Sequence, residues 1–138
     1  MQWRHISARK RLSAIAALLS TVLVTAGVSA ELNLAGSEWG FADEVGKSAR
    51  FIQFGDERVS GHLGCNRFTG GYSHKDGELK IGPLASTMMA CPPEFMKKER
   101  ELARILENAR VAEPSAAKLV LKDADGKVLA ELVRRDPD

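Results

Sequence analysis

Two cysteines, Cys65 and Cys91, are the residues of this chain whose chemistry is easiest to define. Such a pair can form a disulfide, exchange thiols, or bind zinc together with histidines such as His62 and His74. Thiol-exchange pairs usually form a close Cys-x-x-Cys motif, and zinc ligands usually have short, regular spacings. The separation of 26 positions fits neither pattern. A structural disulfide is therefore favoured, and a zinc site made of all four residues is the alternative.

Side chains that could act as nucleophile or general base are also present. Covalent or acid-base catalysis needs a nucleophile, a base and an orienting group held close together. The candidates form no recognised motif, and they are His62, Ser86, Thr87 and Glu99. Thr87 is interpreted as a strand residue, and Glu99 as a helix carboxylate that pairs with a neighbouring loop. The sequence thus predicts no catalytic residue, no metal and no cofactor, and we expect the protein not to be an enzyme.

The first thirty residues have the three parts of a secretory signal peptide. A basic stretch, 4–11, precedes an apolar run, 14–28, which is shorter than the roughly 20 residues of a membrane-spanning helix. Val28 and Ala30 then supply the small residues at −3 and −1 of a cleavage site. We predict export to the bacterial periplasm, with residues 1–30 removed after Ala30. An uncleaved N-terminal anchor is the alternative.

Export would place the cysteines in an oxidising compartment, which supports a disulfide between them. The predicted cleavage removes four of the 20 Lys and Arg and none of the 18 Asp and Glu, so the net charge changes from +2 to −2. A mature chain of this charge gives no support for binding nucleic acid. No cysteine lies near the cut to accept a lipid, so we expect no stable membrane anchor. We also expect the protein to be a monomer.

Short alternating apolar stretches separated by Gly, Asp and Asn predict an antiparallel β core in the mature chain. The predicted strands are 34–41, 49–54, 58–63, 69–73, 78–81 and 84–89. Asp76-Gly77 and Asp125-Gly126 predict hairpin turns, because these residues tolerate positive φ. The second turn would join 118–122 to 128–133. The core residues of that hairpin are expected to be Leu119, Leu121, Leu132 and either Val128 or Leu129.

One segment, 93–108, has helical periodicity. Pro92 and Pro93 can begin a helix without losing a needed hydrogen-bond donor. Phe95, Leu102 and Leu106 then fall on one face, together with Ala109 just beyond the helix. The chain therefore combines one helix with many strands.

Residues 61–92 carry two blocks of specific motifs. The first block is Gly61, Gly64-Cys65-Asn66, Phe68, Gly70 and Tyr72, and the second is Thr87, Met89-Ala90-Cys91-Pro92. In these blocks, and in Gly36-x-x-Trp39, Glu99 and the C-terminal hairpin, the chain closely resembles the META domain family, which includes the HslJ-like heat-shock proteins. The resemblance implies one α+β domain over residues 31–138, with a mainly antiparallel, curved, barrel-like β-sheet and one α-helix packed on it. It also implies an envelope or secreted protein, often linked with stress, for which no enzymatic activity is established.

The glycine-rich loop next to Cys65 is the predicted recognition surface, because loops on rigid scaffolds often carry binding. Its candidate residues are Asn66, Arg67, Phe68 and Tyr72. Asn66 is also expected to bond to its own turn through its side chain. The partner is expected to be an envelope protein or a small apolar ligand, and the role to be envelope maintenance or stress response. The alternative is a periplasmic inhibitor, or a binding module for one specific partner protein.

Overall fold

The computed structural model of the protein describes residues 32–135, which form ten regular elements. The predicted signal peptide and its cut after Ala30 lie outside the described residues. The elements in chain order are β1 Ser37–Gly40, β2 Phe51–Phe54, β3 Arg58–His62, β4 Arg67–Lys75, β5 Glu78–Ile81, β6 Ala85–Ser86, α1 Pro93–Asn108, β7 Val111–Pro114, β8 Lys118–Lys122 and β9 Val128–Arg135.

Eight of these strands close into an antiparallel barrel. Around the barrel the order is β1, β2, β3, β4, β5, β7, β8 and β9, and β9 pairs with β1 to complete the ring. The short strand β6 pairs with the start of β4, on the edge opposite β3. The structure thus confirms the predicted α+β fold with a barrel-like sheet and one helix.

The ring is weakest between β5 and β7. These two strands share a single residue pair, Glu78 with Val111. Two further bonds extend the contact, from Leu79 N–H to the Arg110 carbonyl at 2.8 Å and from Ala112 N–H to the Gly77 carbonyl at 3.0 Å. By comparison, β8 and β9 are paired along five positions. The barrel is therefore closed, but with one short seam.

Two predicted hairpin turns are confirmed. Asp76 and Gly77 both have positive φ, at 52° and 80°, as a tight turn of the hairpin-forming type requires. In the second turn Gly126 has φ 82°, and the Asp123 carboxylate accepts the backbone N–H groups of Asp125 and Lys127. Local side-chain chemistry therefore determines where both hairpins reverse.

The helix has the bounds that its sequence predicts, 93–108. Pro93 occupies the first turn, where its missing N–H is no loss, and Leu102, Ile105 and Leu106 are buried. Together with Ala109 these residues join one core cluster with side chains from the barrel. The largest fully buried members from the strands and the N-terminal loop are Leu34, Trp39, Ile52, Phe54, Val59, Leu79, Leu119, Leu121 and Leu132.

Some strand boundaries differ from the prediction. The strand predicted at 84–89 is only Ala85–Ser86, because Arg67 donates its N–H to the Thr87 side-chain hydroxyl at 3.1 Å and not to the next carbonyl of the ladder. Strand β7 was not predicted, because its one buried side chain is the small Ala112.

The C-terminal hairpin also differs in detail. An irregularity in the β8–β9 pairing at Leu121/Lys122 accompanies a buried pair, Ala130 with Leu132. Val128 is exposed and Leu129 is only partly buried, so neither takes the fully buried place expected of one of them.

Candidate functional site

Three segments meet where the helix begins: the β3–β4 turn, residues 63–66, the extended segment 87–92, and the first turns of α1. The disulfide between Cys65 and Cys91 joins the first two, with 6.1 Å between their Cα atoms. Cys91 lies two residues before the helix, so the bond fastens the helix start to the barrel. The predicted pairing of the cysteines is present in the structure.

Asn66 lies at the centre of this junction and is 2 % exposed. Its side-chain carbonyl accepts the Thr87 hydroxyl at 2.8 Å and the Met89 N–H at 2.7 Å. Its side-chain amide donates to the Met89 carbonyl at 3.2 Å and to the Glu99 carboxylate at 3.0 Å. The Glu99 carboxylate also accepts the Asn66 backbone N–H at 2.8 Å. One buried amide thus connects the turn, segment 87–92 and the helix, and we call this set of bonds the Asn66 network.

The Asn66 network corrects one expectation and agrees with another. The Asn66 side chain does not bond to its own turn, whose closing bond is made by backbone groups, from Leu63 N–H to the Asn66 carbonyl. Its partners lie 21 to 33 positions away in the chain. Glu99, by contrast, pairs with a neighbouring loop, as its position on the helix suggested.

We predict that Asn66→Ala lowers the free energy of unfolding by about 2 to 3 kcal/mol, because it leaves several polar groups at the junction without partners. Asn66→Asp should destabilise more, because it places a second carboxylate against Glu99. Urea unfolding followed by circular dichroism measures both. The double variant Asn66→Asp/Glu99→Gln should recover part of the loss, since it removes the like-charge contact. Equal stability of the Asp single and double variants would contradict this account of the junction.

The four predicted recognition residues are placed differently from one another. Phe68 and Asn66 are buried, at 3 % and 2 % exposed, so their side chains do not form the surface. Tyr72 is half-buried, packs edge-on against Phe54 at 4.9 Å, and donates its hydroxyl to the Gly55 carbonyl at 2.6 Å. Burial, and to a lesser extent the charge of Asp56, raise the pKa of Tyr72. Among the four, Arg67 is the one whose side chain is exposed.

The surface beside the disulfide is formed mainly by residues 85–90, which we call the methionine segment. All six are exposed, and Met88 and Met89 are 92 % and 55 % exposed. An open cavity of about 370 Å³ lies next to it, lined by Arg67, Phe68, Thr69, Ala85, Ser86 and Thr87. Sequence reasoning missed this segment because it was interpreted as a strand. One signal was available: residues 82–93 contain no charged side chain in a chain that is 28 % charged.

A second polar cluster, also missed from the sequence, is built on the β1–β2 connection. Glu44 and Arg50 form a buried ion pair at 2.6 Å, and each side chain is 7 % exposed. Arg50 also donates to the Lys98 carbonyl and to Glu101, and its guanidinium lies 3.9 Å from the centre of the Phe41 ring. The Glu44–Arg50 pair therefore fastens the segment between β1 and β2 to the helix.

The pKa of Glu44 reflects two opposing effects. Burial alone would raise it, but hydrogen bonds and charge from Arg50, with Lys98 nearby, outweigh burial and lower the pKa from 4.5 to about 2. Burial likewise tends to lower the pKa of Arg50, yet its carboxylate partners raise it overall. Glu44 is therefore charged at any ordinary pH, and its charge depends on Arg50.

The residues considered for zinc are not gathered into one site, whereas two of those considered for catalysis, Thr87 and Glu99, both bond to Asn66. Cys65 and Cys91 are joined to each other, His62 accepts the Gly64 N–H, and His74 lies 3.1 Å from the Ala112 carbonyl. Over residues 32–135 no group of three or more His, Cys, Asp or Glu is placed to hold a metal ion. Within the same range, no helix has both the length and the apolar character needed to cross a membrane.

Comparison with known proteins supports the fold. An NMR structure of a protein from Burkholderia xenovorans is 21 % identical, with a TM-score of 0.62 over 75 % of this chain and 85 % of that one. A second NMR structure is 26 % identical, with a TM-score of 0.54 over 74 % of this chain and 90 % of that one. The search of curated protein sequences found no significant match.

An eight-stranded antiparallel barrel with one helix, fastened by a disulfide and a buried asparagine, defines a small α+β barrel domain. The META domain family model matches residues 32–136. The chain belongs to the META domain family.

Proposed function

We propose that this protein is an exported, non-enzymatic binding module of the HslJ-like kind, which acts in envelope maintenance or stress response. The observation that supports the proposal is the exposure of the methionine segment on a fixed backbone. Its large apolar side chains are exposed to solvent, while its backbone is fixed by the Asn66 network and by the disulfide. Exposed apolar side chains held on a rigid support are typical of interaction sites.

The placement of the polar residues favours binding over catalysis. Thr87 donates its hydroxyl to Asn66, and Glu99 accepts the backbone N–H and the side-chain amide of the same residue. Both residues therefore have a structural use that accounts for their place in the family pattern. A partner with an apolar surface suits the uncharged segment, and we propose an envelope protein or a small apolar ligand.

Export is tested by the mass of the protein recovered from the periplasm. We expect a chain that begins at Glu31, because the signal sequence predicts cleavage after Ala30. Reduction and alkylation should modify two thiols, and none without reductant, because both cysteines are in the disulfide. A mass that begins at Met1, or two thiols that react without reductant, would overturn the proposed localisation.

Binding is tested by capture from periplasmic extracts of cells under heat or antibiotic stress. The variant Met88→Ser/Met89→Ser should lose the captured partner, because it removes the exposed apolar side chains. Val45→Ser is the matched control, since Val45 is 90 % exposed and lies outside the segment. A partner retained by the methionine variant but lost by the Val45 variant would refute the proposed surface.

The same capture experiment distinguishes an envelope-maintenance module from an inhibitor of one specific enzyme. A single enzyme captured in equal amounts, and inhibited on binding, would favour a specific inhibitor. Turnover of a hydrolase or redox substrate panel by the purified protein, lost on His62→Ala or Glu99→Gln, would contradict a non-enzymatic role.

A further inference from the structure

Within residues 32–135 no strand pairs with the outer edge of β6, at the start of the methionine segment, and this edge has a defined direction. In an antiparallel ladder, the N–H and C=O of one residue point toward the partner strand, and those of the next point away. Thr87 N–H donates to the Arg67 carbonyl at 3.0 Å, and Met89 N–H donates to the Asn66 side chain at 2.7 Å. Both therefore point toward β4. By this alternation we expect Ser86, and Met88 just beyond the strand, to direct their backbone groups away from the sheet.

We infer that this outward edge, formed by Ser86 and Met88, takes up an extended, uncharged segment of a partner polypeptide as an additional β-strand. The inference rests on the proposed binding function and adds the chemistry of the partner. Strand addition of this kind draws affinity from main-chain hydrogen bonds and specificity from pockets for alternate side chains.

The edge carries neither the charged side chains nor the internal prolines that block many exposed strands. Natural sheets block their edges with charged side chains, prolines, bulges or a covering element. Residues 82–93 contain no charged residue, and the methionine segment is exposed along its whole length. Prolines occur only on either side of it, at Pro83, Pro92 and Pro93. The stretch between Pro83 and Pro92 is about as long as a short β-strand.

The edge is also fixed in place before any partner binds. β4 pairs with β6 through Phe68 and Thr69, the Asn66 network holds residues 87 and 89, and the disulfide holds residue 91. A fixed edge loses little conformational entropy when a strand is added to it. The cavity lined by Arg67, Phe68 and Thr69 lies beside β6, where it can receive a side chain of the added strand.

An extended chain fits this edge better than a second copy of the protein. Symmetric pairing of two copies would use the outward groups of only two residues from each. A contact between two such short edges would bury much less than the roughly 1,200 Å² that stable interfaces between folded proteins bury. An unfolded or extended chain has no folded surface that must fit around the edge, so it can approach the backbone closely.

The test uses reduced, carboxyamidomethylated α-lactalbumin as an unfolded probe, with native α-lactalbumin as its folded control. The protein is examined with its disulfide intact, and binding is followed by NMR amide exchange. The amides of Ser86 and Met88 should gain protection on binding to the unfolded probe. Those of Thr87 and Met89, already bonded, should change little. The folded control should produce neither effect.

Two variants distinguish main-chain pairing from side-chain contact. Ser86→Pro removes the outward N–H and leaves the β4 side of the strand intact, so the dissociation constant should rise at least about tenfold. Ser86→Ala keeps the N–H and should bind like the wild type. Thermal unfolding of both variants confirms that the barrel is retained.

Several results would overturn the inference. Equal binding by the Pro and Ala variants would show that the edge is not used. Binding lost in Met88→Ser/Met89→Ser but kept in Ser86→Pro would mean recognition by side chains, in which case the binding module would stand and strand addition would fail. A dimer of the free protein that Ser86→Pro dissociates would assign the edge to a second copy. No binding of any unfolded chain, with a folded partner still captured, would reject strand addition alone.

Discussion

Replacing Arg50 with methionine is expected to lower the free energy of unfolding at pH 7 by about 3 to 5 kcal/mol, the largest effect that we predict for a single residue. The reason is the carboxylate that it leaves behind. Glu44 is 7 % exposed in its side chain, and Arg50 supplies its closest charge at 2.6 Å. The remaining cation, Lys98, lies 3.4 Å away and is 46 % exposed, so it compensates only in part.

The loss should depend on pH in a defined direction. In the wild type the pKa of Glu44 falls from 4.5 to about 2, so Glu44 contributes stability above pH 4.5 that is lost as the pH falls through about 2. Without Arg50, burial dominates and raises the pKa of Glu44 above its ordinary value. The variant should therefore regain stability relative to the wild type as the pH falls from 7 toward 4.

Urea unfolding at pH 7, 5 and 4 measures this difference. The double variant Glu44→Gln/Arg50→Met is the control, because it removes the buried charge together with its partner. At pH 7 this double variant should be more stable than Arg50→Met. Between pH 7 and pH 4 its stability should change about as much as that of the wild type. A loss below about 1 kcal/mol in Arg50→Met, or a loss independent of pH, would contradict the importance assigned to the pair.

Removal of the disulfide is the second large effect. The double variant Cys65→Ser/Cys91→Ser should lose about 3 to 4 kcal/mol of unfolding free energy, because the bond closes a loop with a sequence separation of 26 and restricts the unfolded chain. For a small domain this is a large part of a typical total of 5 to 15 kcal/mol. Urea unfolding at neutral pH gives the value directly.

Reductant supplies the internal control for this prediction. Wild-type protein unfolded with reductant should approach the stability of the double serine variant, whereas the variant itself should not respond to reductant. A reductant effect on the serine variant would indicate that the reagent acts elsewhere. An unchanged midpoint for oxidised and reduced wild type would show that the bond contributes little to stability.

The sequence was sufficient for features that depend on local chemistry. The helix has the predicted bounds because Pro92 and Pro93 define its start and the apolar period continues to Leu106 in its last turn. The hairpin at Asp76-Gly77 follows from residues that tolerate positive φ. The family motif blocks indicated the barrel with one helix, which a pattern of short strands could not specify.

The site depends on contacts that local patterns do not encode. An asparagine after glycine and cysteine is typical of a turn, which predicts side-chain bonds to that turn, yet the partners of Asn66 are Thr87, Met89 and Glu99. The prediction that Phe68 lies on the recognition surface is wrong, because alternation along β4 directs its side chain into the core. The exposure of Met88 depends on where β6 stops, and a hydroxyl of Thr87 determines that point.

Pairing of the first and last strands has a consequence for the order of events during synthesis. Trp39 of β1 lies opposite Arg134 of β9, nearly the whole domain away along the chain. The ring cannot close until its last strand has left the ribosome, so early strands must wait without their final neighbour. Such high contact order slows folding to milliseconds or longer. A nascent chain that stays open until its end is synthesised remains suitable for threading through a translocation channel.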